Sequence, residues 1–91
     1  MSLHLIFSPT GAKACLSRWS PDDSLVLLGD GVYAANQLTQ SPVPAAAINM
    51  MARDAEARGI TESERGGISC INYKQLVGLT EKHSPVVSWK D

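Results

Sequence analysis

The chain has 91 residues, of which 44% are hydrophobic and 19% are charged, and its formal net charge is −1. This length fits one domain, residues 1–91, and the composition is that of a globular protein rather than a disordered one. This net charge gives no electrostatic reason to expect direct nucleic-acid binding, which normally needs a basic face. No apolar run approaches the ~20 residues of a membrane-spanning helix, so we expect no contact with a membrane.

The first part of the chain alternates short apolar runs with helix-periodic segments. Leu3–Phe7 is predicted as the first strand, which Ser8-Pro9 ends. Ala12–Trp19 is predicted as an amphipathic helix, because its apolar residues follow the i, i+3, i+4, i+7 spacing. Leu25–Leu28 is a continuous apolar run, which favours a strand covered on both faces, as in a parallel sheet.

A glycine-rich turn follows this buried strand. Gly29, Asp30 and Gly31 break the apolar run, and Val32–Ala35 is predicted to be a short helix whose first turn is capped by Asp30. Functional groups of parallel sheets gather at the carboxyl ends of the strands. The turn is therefore a candidate site as well as a structural feature.

The same alternation continues to the end of the chain and predicts the fold class. We expect a three-layer α/β domain with a mainly parallel sheet of four to five strands, because strands that alternate with helices imply right-handed crossovers. The later predicted segments are, in order, a loop at Asn36–Pro44, a strand at Ala45–Met51, a helix at Asp54–Arg58, a surface loop at Thr61–Gly67, a strand at Ile68–Ile71, a helix capped by Asn72 and ending near His83, and a last strand at Val86–Trp89.

No motif in the sequence names an enzyme. There is no P-loop, no Gly-x-Ser-x-Gly elbow and no pair of metal-binding histidines. His4 and His83 show no ligand spacing with Cys15 and Cys70, so we expect neither a metal nor a cofactor.

The first ten residues lack the basic start and long apolar core of a signal peptide. We therefore expect a cytoplasmic protein whose cysteines are free thiols.

Cys15 is the candidate catalytic residue. A reachable thiolate can attack a persulfide or disulfide sulfur, and Arg18, three residues later, would favour the thiolate form. The alternative is that Cys15 packs in the core as a small hydrophobe, since it lies on the apolar stripe of the predicted helix. Cys70 lies within a predicted buried strand and is expected to be a core residue.

The large aromatic side chains predict an interface. Trp19, Tyr33, Tyr73 and Trp89 exceed what so small a core can enclose, so some are expected to form an exposed patch. Trp89 lies near the end of the chain, with little sequence left to cover it, and tryptophan is a frequent interface anchor. Alone, the chain is expected to form homodimers or higher species through this patch, or to be marginally stable. The predicted interface residues are Asp30, Gly31, Tyr33 and Trp89.

Several segments, taken in order, resemble one protein family. LHLIFSP, DGVYAA, DAEARG, ISCINYKQLVGLTEKH and the near-terminal tryptophan are similar to the TusB/DsrH family of sulfur-relay proteins. The resemblance covers almost the whole chain and implies a DsrE-like α/β fold. It also implies a subunit of the TusBCD (DsrEFH) complex. In that system sulfur passes from a cysteine desulfurase through carriers to the wobble uridine of certain tRNAs, and a related branch serves sulfur oxidation.

The resemblance further implies a division of labour among subunits. The main sulfur-accepting cysteine belongs to the TusD/DsrE-type partner, whereas DsrH proteins of the sulfur-oxidising branch carry a cysteine in the first helix, where Cys15 falls. The implied partners are TusC/DsrF-like and TusD/DsrE-like sister subunits and, through the complex, a TusE/DsrC-like carrier.

Three functional hypotheses follow from these observations. The first is a non-catalytic subunit of a sulfur-relay complex that supports 2-thiouridine formation in tRNA. The second is a true sulfurtransferase component with Cys15 as a transient persulfide carrier. The third is a free-standing interaction module that uses the fold without sulfur chemistry.

Overall fold

A parallel sheet of five strands lies at the centre of the molecule. The computed structural model describes residues 1–90, and its strands lie in the order β4-β3-β2-β1-β5. Every neighbouring pair is parallel, which confirms the predicted α/β fold class and is consistent with a DsrE-like fold. The strands are β1 (Leu3–Ile6), β2 (Ser24–Leu27), β3 (Ile48–Met51), β4 (Ser69–Ile71) and β5 (Val86–Trp89).

Helices form the crossovers between these strands. The chain steps from β1 to β4 one strand at a time and then returns to the other edge of β1, so the last crossover lies on the opposite face of the sheet from the first. The helices are α1 (Pro9–Leu16), α2 (Ala35–Thr39), α3 (Ala52–Ala57), α4 (Glu62–Arg65) and α5 (Tyr73–Lys82), with 3₁₀ segments at Gly29–Ala34 and Ala45–Ala47.

The two faces of the sheet bury cores of unequal size. The face covered by α5 carries a small cluster, whose buried members are Leu3, Val26, Met51, Ile71 and Leu76. The face covered by α1 and the 3₁₀ segment carries the main core, whose buried members include Ile6, Ala12, Cys15, Leu25, Leu27, Val32, Leu38, Ile48 and Met50. Alternate residues of one strand enter different clusters, as the period of a strand requires.

The first helix begins earlier than its apolar spacing predicts. Ser8 is the N-cap, and its hydroxyl oxygen accepts a hydrogen bond from the Gly11 N–H at 2.9 Å, while Pro9 occupies the first turn. A serine followed by proline can start a helix as readily as it can end a strand. The serine hydroxyl caps the first turn, and the N–H group that proline lacks would have no partner within the helix at this position. The helix ends at Leu16, so Trp19 lies beyond it.

The strand predicted at Ala45–Met51 is wrong in its first half. Ala45–Ala47 forms a 3₁₀ turn, closed by a bond from the Ala47 N–H to the Pro44 carbonyl at 2.9 Å, and β3 begins only at Ile48. Alanine has little preference for strands, because its side chain cannot cover a pleated surface. The apolar character of the alanines therefore does not extend the strand.

Two predicted loops each contain a short helix. Asn36–Pro44 includes most of α2, and Thr61–Gly67 includes α4. The start of α4 is a capping box, in which the side chains of Thr61 and Glu64 each accept a hydrogen bond from the other residue's N–H. The predicted cap at Asn72 is confirmed, since its side chain accepts from the Gln75 N–H at 2.8 Å.

Gly31 lets the 3₁₀ segment cross the end of β1 at close range. A Cβ atom added at Gly31 would lie 2.8 Å from the carbonyl carbon of Ile6, a backbone atom that cannot move aside. The same carbonyl accepts a hydrogen bond from the Leu28 N–H at 2.9 Å. Only glycine fits here, so Gly31 is a packing residue of the fold.

Replacing Gly31 with alanine should destabilise the protein by at least about 2 kcal/mol, because the new methyl group overpacks a fixed backbone. Gly78→Ala is the matched control, since Gly78 lies in α5 with nothing within 4 Å of an added Cβ. It should raise stability by about 0.5–1 kcal/mol through helix propensity. Urea unfolding measures both changes, and equal midpoints for the two variants would contradict the packing role.

Candidate functional site

The turn after β2 forms a surface at the carboxyl ends of the strands. The chain leaves β2 through Gly29, which has a positive φ of 53°, and enters the 3₁₀ segment. Within this segment Val32 and Ala34 are buried in the main core, whereas the Tyr33 side chain is 53% exposed. The segment therefore anchors itself with alternate residues and presents the tyrosine to solvent.

Asp30 does not cap a helix, so that prediction is wrong. The N-cap of the 3₁₀ segment is Leu28, with no side-chain hydrogen bond, and Asp30 lies within the first turn. Its carboxylate instead accepts a hydrogen bond from Arg58 Nε at 3.0 Å. Asp54 adds a second link between the same two segments, because its Oδ2 accepts from the Gly29 N–H at 2.9 Å. These bonds join the DGVYAA segment, and Gly29 just before it, to the DAEARG segment.

A depression of about 390 Å³ lies beside Tyr33. It lies between the 3₁₀ segment with α2 on one side and α4 on the other, and its lining includes Val32, Tyr33, Asn36, Ile60, Ser63 and Glu64. The residues from α4 were not among the predicted site residues, because Thr61–Gly67 was predicted to be a plain loop. The Thr61-x-x-Glu64 spacing is the signal that points to a helix there.

Cys15 lies in the main core and is completely buried. Burial raises the pKa of its thiol to about 12, and the negative charge of Asp23 adds to the effect. The thiol is therefore protonated at neutral pH and has no route to a large sulfur donor in this conformation. Arg18 lies outside the helix and is exposed. The geometry favours the packing alternative for Cys15 over the carrier alternative.

The most extensive buried polar cluster was not predicted. His4 and Asp23 are 3% and 7% exposed, and His4 Nε2 lies 2.9 Å from Asp23 Oδ2. On the other side of the ring, Trp89 Nε1 donates to His4 Nδ1 at 3.0 Å. The Asp23 carboxylate also accepts from the backbone N–H groups of Ser2 and Ser20, at 2.8 and 3.0 Å.

The structure separates the predicted interface residues. Asp30 and Tyr33 are exposed, Gly31 is buried, and Trp89 is half-buried with its indole bound to His4 and packed against the main core. Trp19 is also half-buried, and its Nε1 donates to the Asp23 carbonyl at 3.3 Å. The tryptophans are therefore bound to their own chain, whereas Tyr33 and Tyr73 are the exposed aromatic residues, and Tyr33 alone lies on the turn after β2.

Within residues 1–90, no three side chains of His, Cys, Asp or Glu come together as ligands of a metal ion. Cys15 and Cys70 are both free thiols. Cys70 is half-buried and lies on β4, an edge strand of the sheet. None of the helices in this described part of the chain combines the length and hydropathy that crossing a bilayer requires.

Comparisons with known proteins agree on one family. A family model described as "DsrH like protein" matches residues 7–86. Protein TusB of Escherichia coli O81 (strain ED1a) is 37% identical over 87 residues, which cover 88% of each chain. Protein TusB of Pectobacterium parmentieri is 35% identical over 71 residues, which cover 74% of this chain and 75% of the relative. The chain belongs to the TusB/DsrH family. The family predicted from the sequence is thereby confirmed.

Membership of the TusB/DsrH family supports a sulfur-relay role in tRNA thiolation. The region matched by the family model contains Cys15, the 3₁₀ segment and its partner Arg58. His4 and Trp89 lie outside that region. The cluster therefore links one residue of the matched region, Asp23, to two residues outside it.

Asp23→Asn should lower stability near neutral pH by about 1–3 kcal/mol, because buried donors lose a charged acceptor. Burial alone would raise the pKa of Asp23, but the hydrogen bonds from His4, Ser2 and Ser20 lower it below its ordinary value. The carboxylate therefore stabilises the fold above the unfolded-state pKa of about 3.9, and the gain is lost as pH falls through the lower folded-state value.

Urea unfolding between neutral and acid pH measures this dependence, which should be shallower in Asp23→Asn than in the wild type. Asp22→Asn is the matched control, since Asp22 is adjacent and exposed. Its stability should stay within about 0.5 kcal/mol of the wild type. If stability falls as steeply on acidification in Asp23→Asn as in the wild type, the buried carboxylate is not the source of the pH dependence.

Cys15 should resist thiol reagents in the folded protein. In Cys70→Ser, where Cys15 is the remaining thiol, labelling should be more than about 100-fold slower in buffer than in denaturant, because reaction requires the core to open. Cys15→Ser is the control, in which the half-buried Cys70 should react faster. Equal rates for Cys15 in buffer and in denaturant would restore it as an accessible sulfur carrier.

Proposed function

We propose that this chain is a non-catalytic subunit of a sulfur-relay complex of the TusBCD (DsrEFH) type, which supports 2-thiolation of the wobble uridine in certain tRNAs. The observation that carries the proposal is the environment of Cys15. A member of this family whose first-helix cysteine is buried and protonated fits a subunit that assembles the relay rather than one that carries sulfur. We place the complex in the cytoplasm, where its tRNA substrates are modified.

The chemistry of sulfur transfer supports this division of roles. Attack on a persulfide needs a thiolate, and the rate depends on access to the attacking sulfur. The Cys15 thiol has neither property, since burial raises its pKa to about 12. The reactive cysteine must then come from a sister subunit of the TusD/DsrE type. The TusE/DsrC-like carrier would be served through the complex.

The surface that best fits assembly lies around Tyr33. Its aromatic ring is 53% exposed beside the 390 Å³ depression, and the polar groups of Asn36, Ser63 and Glu64 line the same depression. An exposed tyrosine over a concave surface with polar groups around it is the composition of an interface anchor and its rim. Asp30 borders the surface through its ion pair with Arg58. We propose TusC/DsrF-like and TusD/DsrE-like subunits as its occupants, and self-association when they are absent.

Co-expression with the two sister subunits tests the function directly. The tagged chain should purify with both of them in fixed ratio, and cells that lack the chain should lose 2-thiouridine in the affected tRNAs. Cys15→Ser should restore that modification. A wild-type chain that purifies alone while tRNA thiolation continues without it would contradict the proposal and favour an independent interaction module.

Tyr33→Ala should weaken binding to the sister subunits about tenfold or more, since a tyrosine anchor contributes at least ~1–2 kcal/mol to an interface. Tyr73→Ala is the matched control, because Tyr73 is also exposed, at 73%, but begins α5. Titration of each purified variant with the partners gives the two dissociation constants. Equal constants for Tyr33→Ala and the wild type would show that the interface lies elsewhere.

A further inference from the structure

The cluster of His4, Asp23 and Trp89 joins β1 to the carboxyl end of β5. The rings of His4 and Trp89 have centroids 6.1 Å apart and are inclined by 32°, and their hydrogen bond spans 85 residues of sequence. His4 is 3% exposed, so no water competes freely for its ring nitrogens. The state of this one imidazole therefore decides how the indole is held.

The hydrogen-bond partners define the proton on His4. An indole N–H can only donate, so Nδ1 of His4 must accept with its lone pair. The proton of the neutral ring then lies on Nε2, which donates to the Asp23 carboxylate at 2.9 Å. Both nitrogens are satisfied in this tautomer, and no buried side-chain nitrogen or oxygen in residues 1–90 is left without a partner.

A second proton on His4 is incompatible with this arrangement. Protonation adds a hydrogen at Nδ1, where the Trp89 N–H already points, and two donors then face each other. The bond to Asp23 survives, because Nε2 remains a donor. We propose that His4 is a proton-dependent latch for Trp89: the neutral ring holds the half-buried indole against the core of its own chain, and protonation releases it.

Few other ionisable groups approach His4. The loop before β2 contributes Asp23, and α1 contributes Cys15, whose pKa is raised by burial and by that carboxylate. Beyond Trp89, β5 is followed by Lys90, which is exposed and lies over the ring of Phe7. The helix on the opposite face, α5, is followed by His83, which is bound to the hydroxyl of Ser24.

Neither Asp23 nor Cys15 changes its charge in the mildly acidic range. The pKa of Asp23 is lowered by its hydrogen bonds against the opposing effect of burial, so the carboxylate stays ionised there. Cys15 stays protonated, since its pKa is about 12. Histidine is the side chain whose ordinary titration falls between about pH 5 and 8. His83, the other histidine of the chain, serves as the internal control.

Release concerns the Trp89 side chain rather than the strand. The Trp89 carbonyl oxygen accepts a hydrogen bond from the Phe7 N–H at 2.9 Å. The backbone of Trp89 also packs directly against α1, because this oxygen lies only 2.5 Å from where a Cβ atom would be at Gly11. The backbone of β5 is therefore held against β1 and α1 independently of the indole. The freed indole lies on an edge strand, where tryptophan acts as an interface anchor. The latch thus controls whether that anchor is available.

Two-dimensional NMR of the wild type between about pH 8 and 5 tests the latch. The indole N–H resonance of Trp89 should move upfield as its acceptor is lost, with the same midpoint as the ring protons of His4. The Trp19 indole should stay constant, since it donates to a backbone carbonyl. A Trp89 resonance that does not move while His4 titrates would overturn the proposal.

Fluorescence of Trp19→Phe, in which Trp89 is the sole tryptophan, provides the second measurement. Its emission should shift to longer wavelength on acidification while far-UV circular dichroism is unchanged. The shift should vanish in Trp19→Phe/His4→Gln and persist in Trp19→Phe/His83→Gln. Loss of the shift in the His83 variant, or its persistence without His4, would assign the titration to another group and reject the latch.

Discussion

One buried carboxylate, that of Asp23, lies at the centre of the hydrogen bonds that link side chains from both ends of this small protein. Asp23 accepts hydrogen bonds from Ser2, Ser20 and His4, and through His4 it orients Trp89 at the other end of the chain. A buried charge is costly unless every lone pair finds a donor. The donors come from β1, from the residue before it and from the turn after α1, so those segments must adopt their observed positions for the charge to be tolerated. The cluster therefore acts as a geometric constraint on the amino-terminal half of the sheet.

The strands could be predicted from the sequence because their signal is local. Leu25–Leu28 is an unbroken apolar run, and the observed β2 overlaps it in every position except one. Errors arose where one residue type serves two structures. Ser8-Pro9 was interpreted as the end of a strand, but it is the cap of α1. Ala45–Ala47 is apolar without filling a strand surface, so tertiary packing decides its conformation.

The candidate site was less accessible to prediction, for a physical reason. The burial of Cys15 was one of two alternatives, because an apolar stripe indicates which side of a helix faces inward but not how completely it is covered. The His4–Asp23 bond joins residues 19 apart, and the bond to Trp89 joins residues 85 apart. Residues so far apart leave no periodic pattern in the sequence from which their contact could be predicted. The position of Trp89 near the end of the chain predicts an interface residue, but it does not indicate that parallel pairing of β5 with β1 also brings the half-buried indole against the core.

The unequal cores explain why the carboxyl end is the part of the fold that a single proton can affect. The main core joins α1 to the middle strands, and opening it would expose many buried side chains at once. β5 has no residue that is fully buried, and it pairs with only one neighbour, β1. Segments with few buried contacts open at low free energy, independently of the rest. A single hydrogen bond, which contributes about 1 kcal/mol, is a small part of the stability of the main core. At Trp89 the same bond acts on a side chain that is only half-buried and lies on an edge strand.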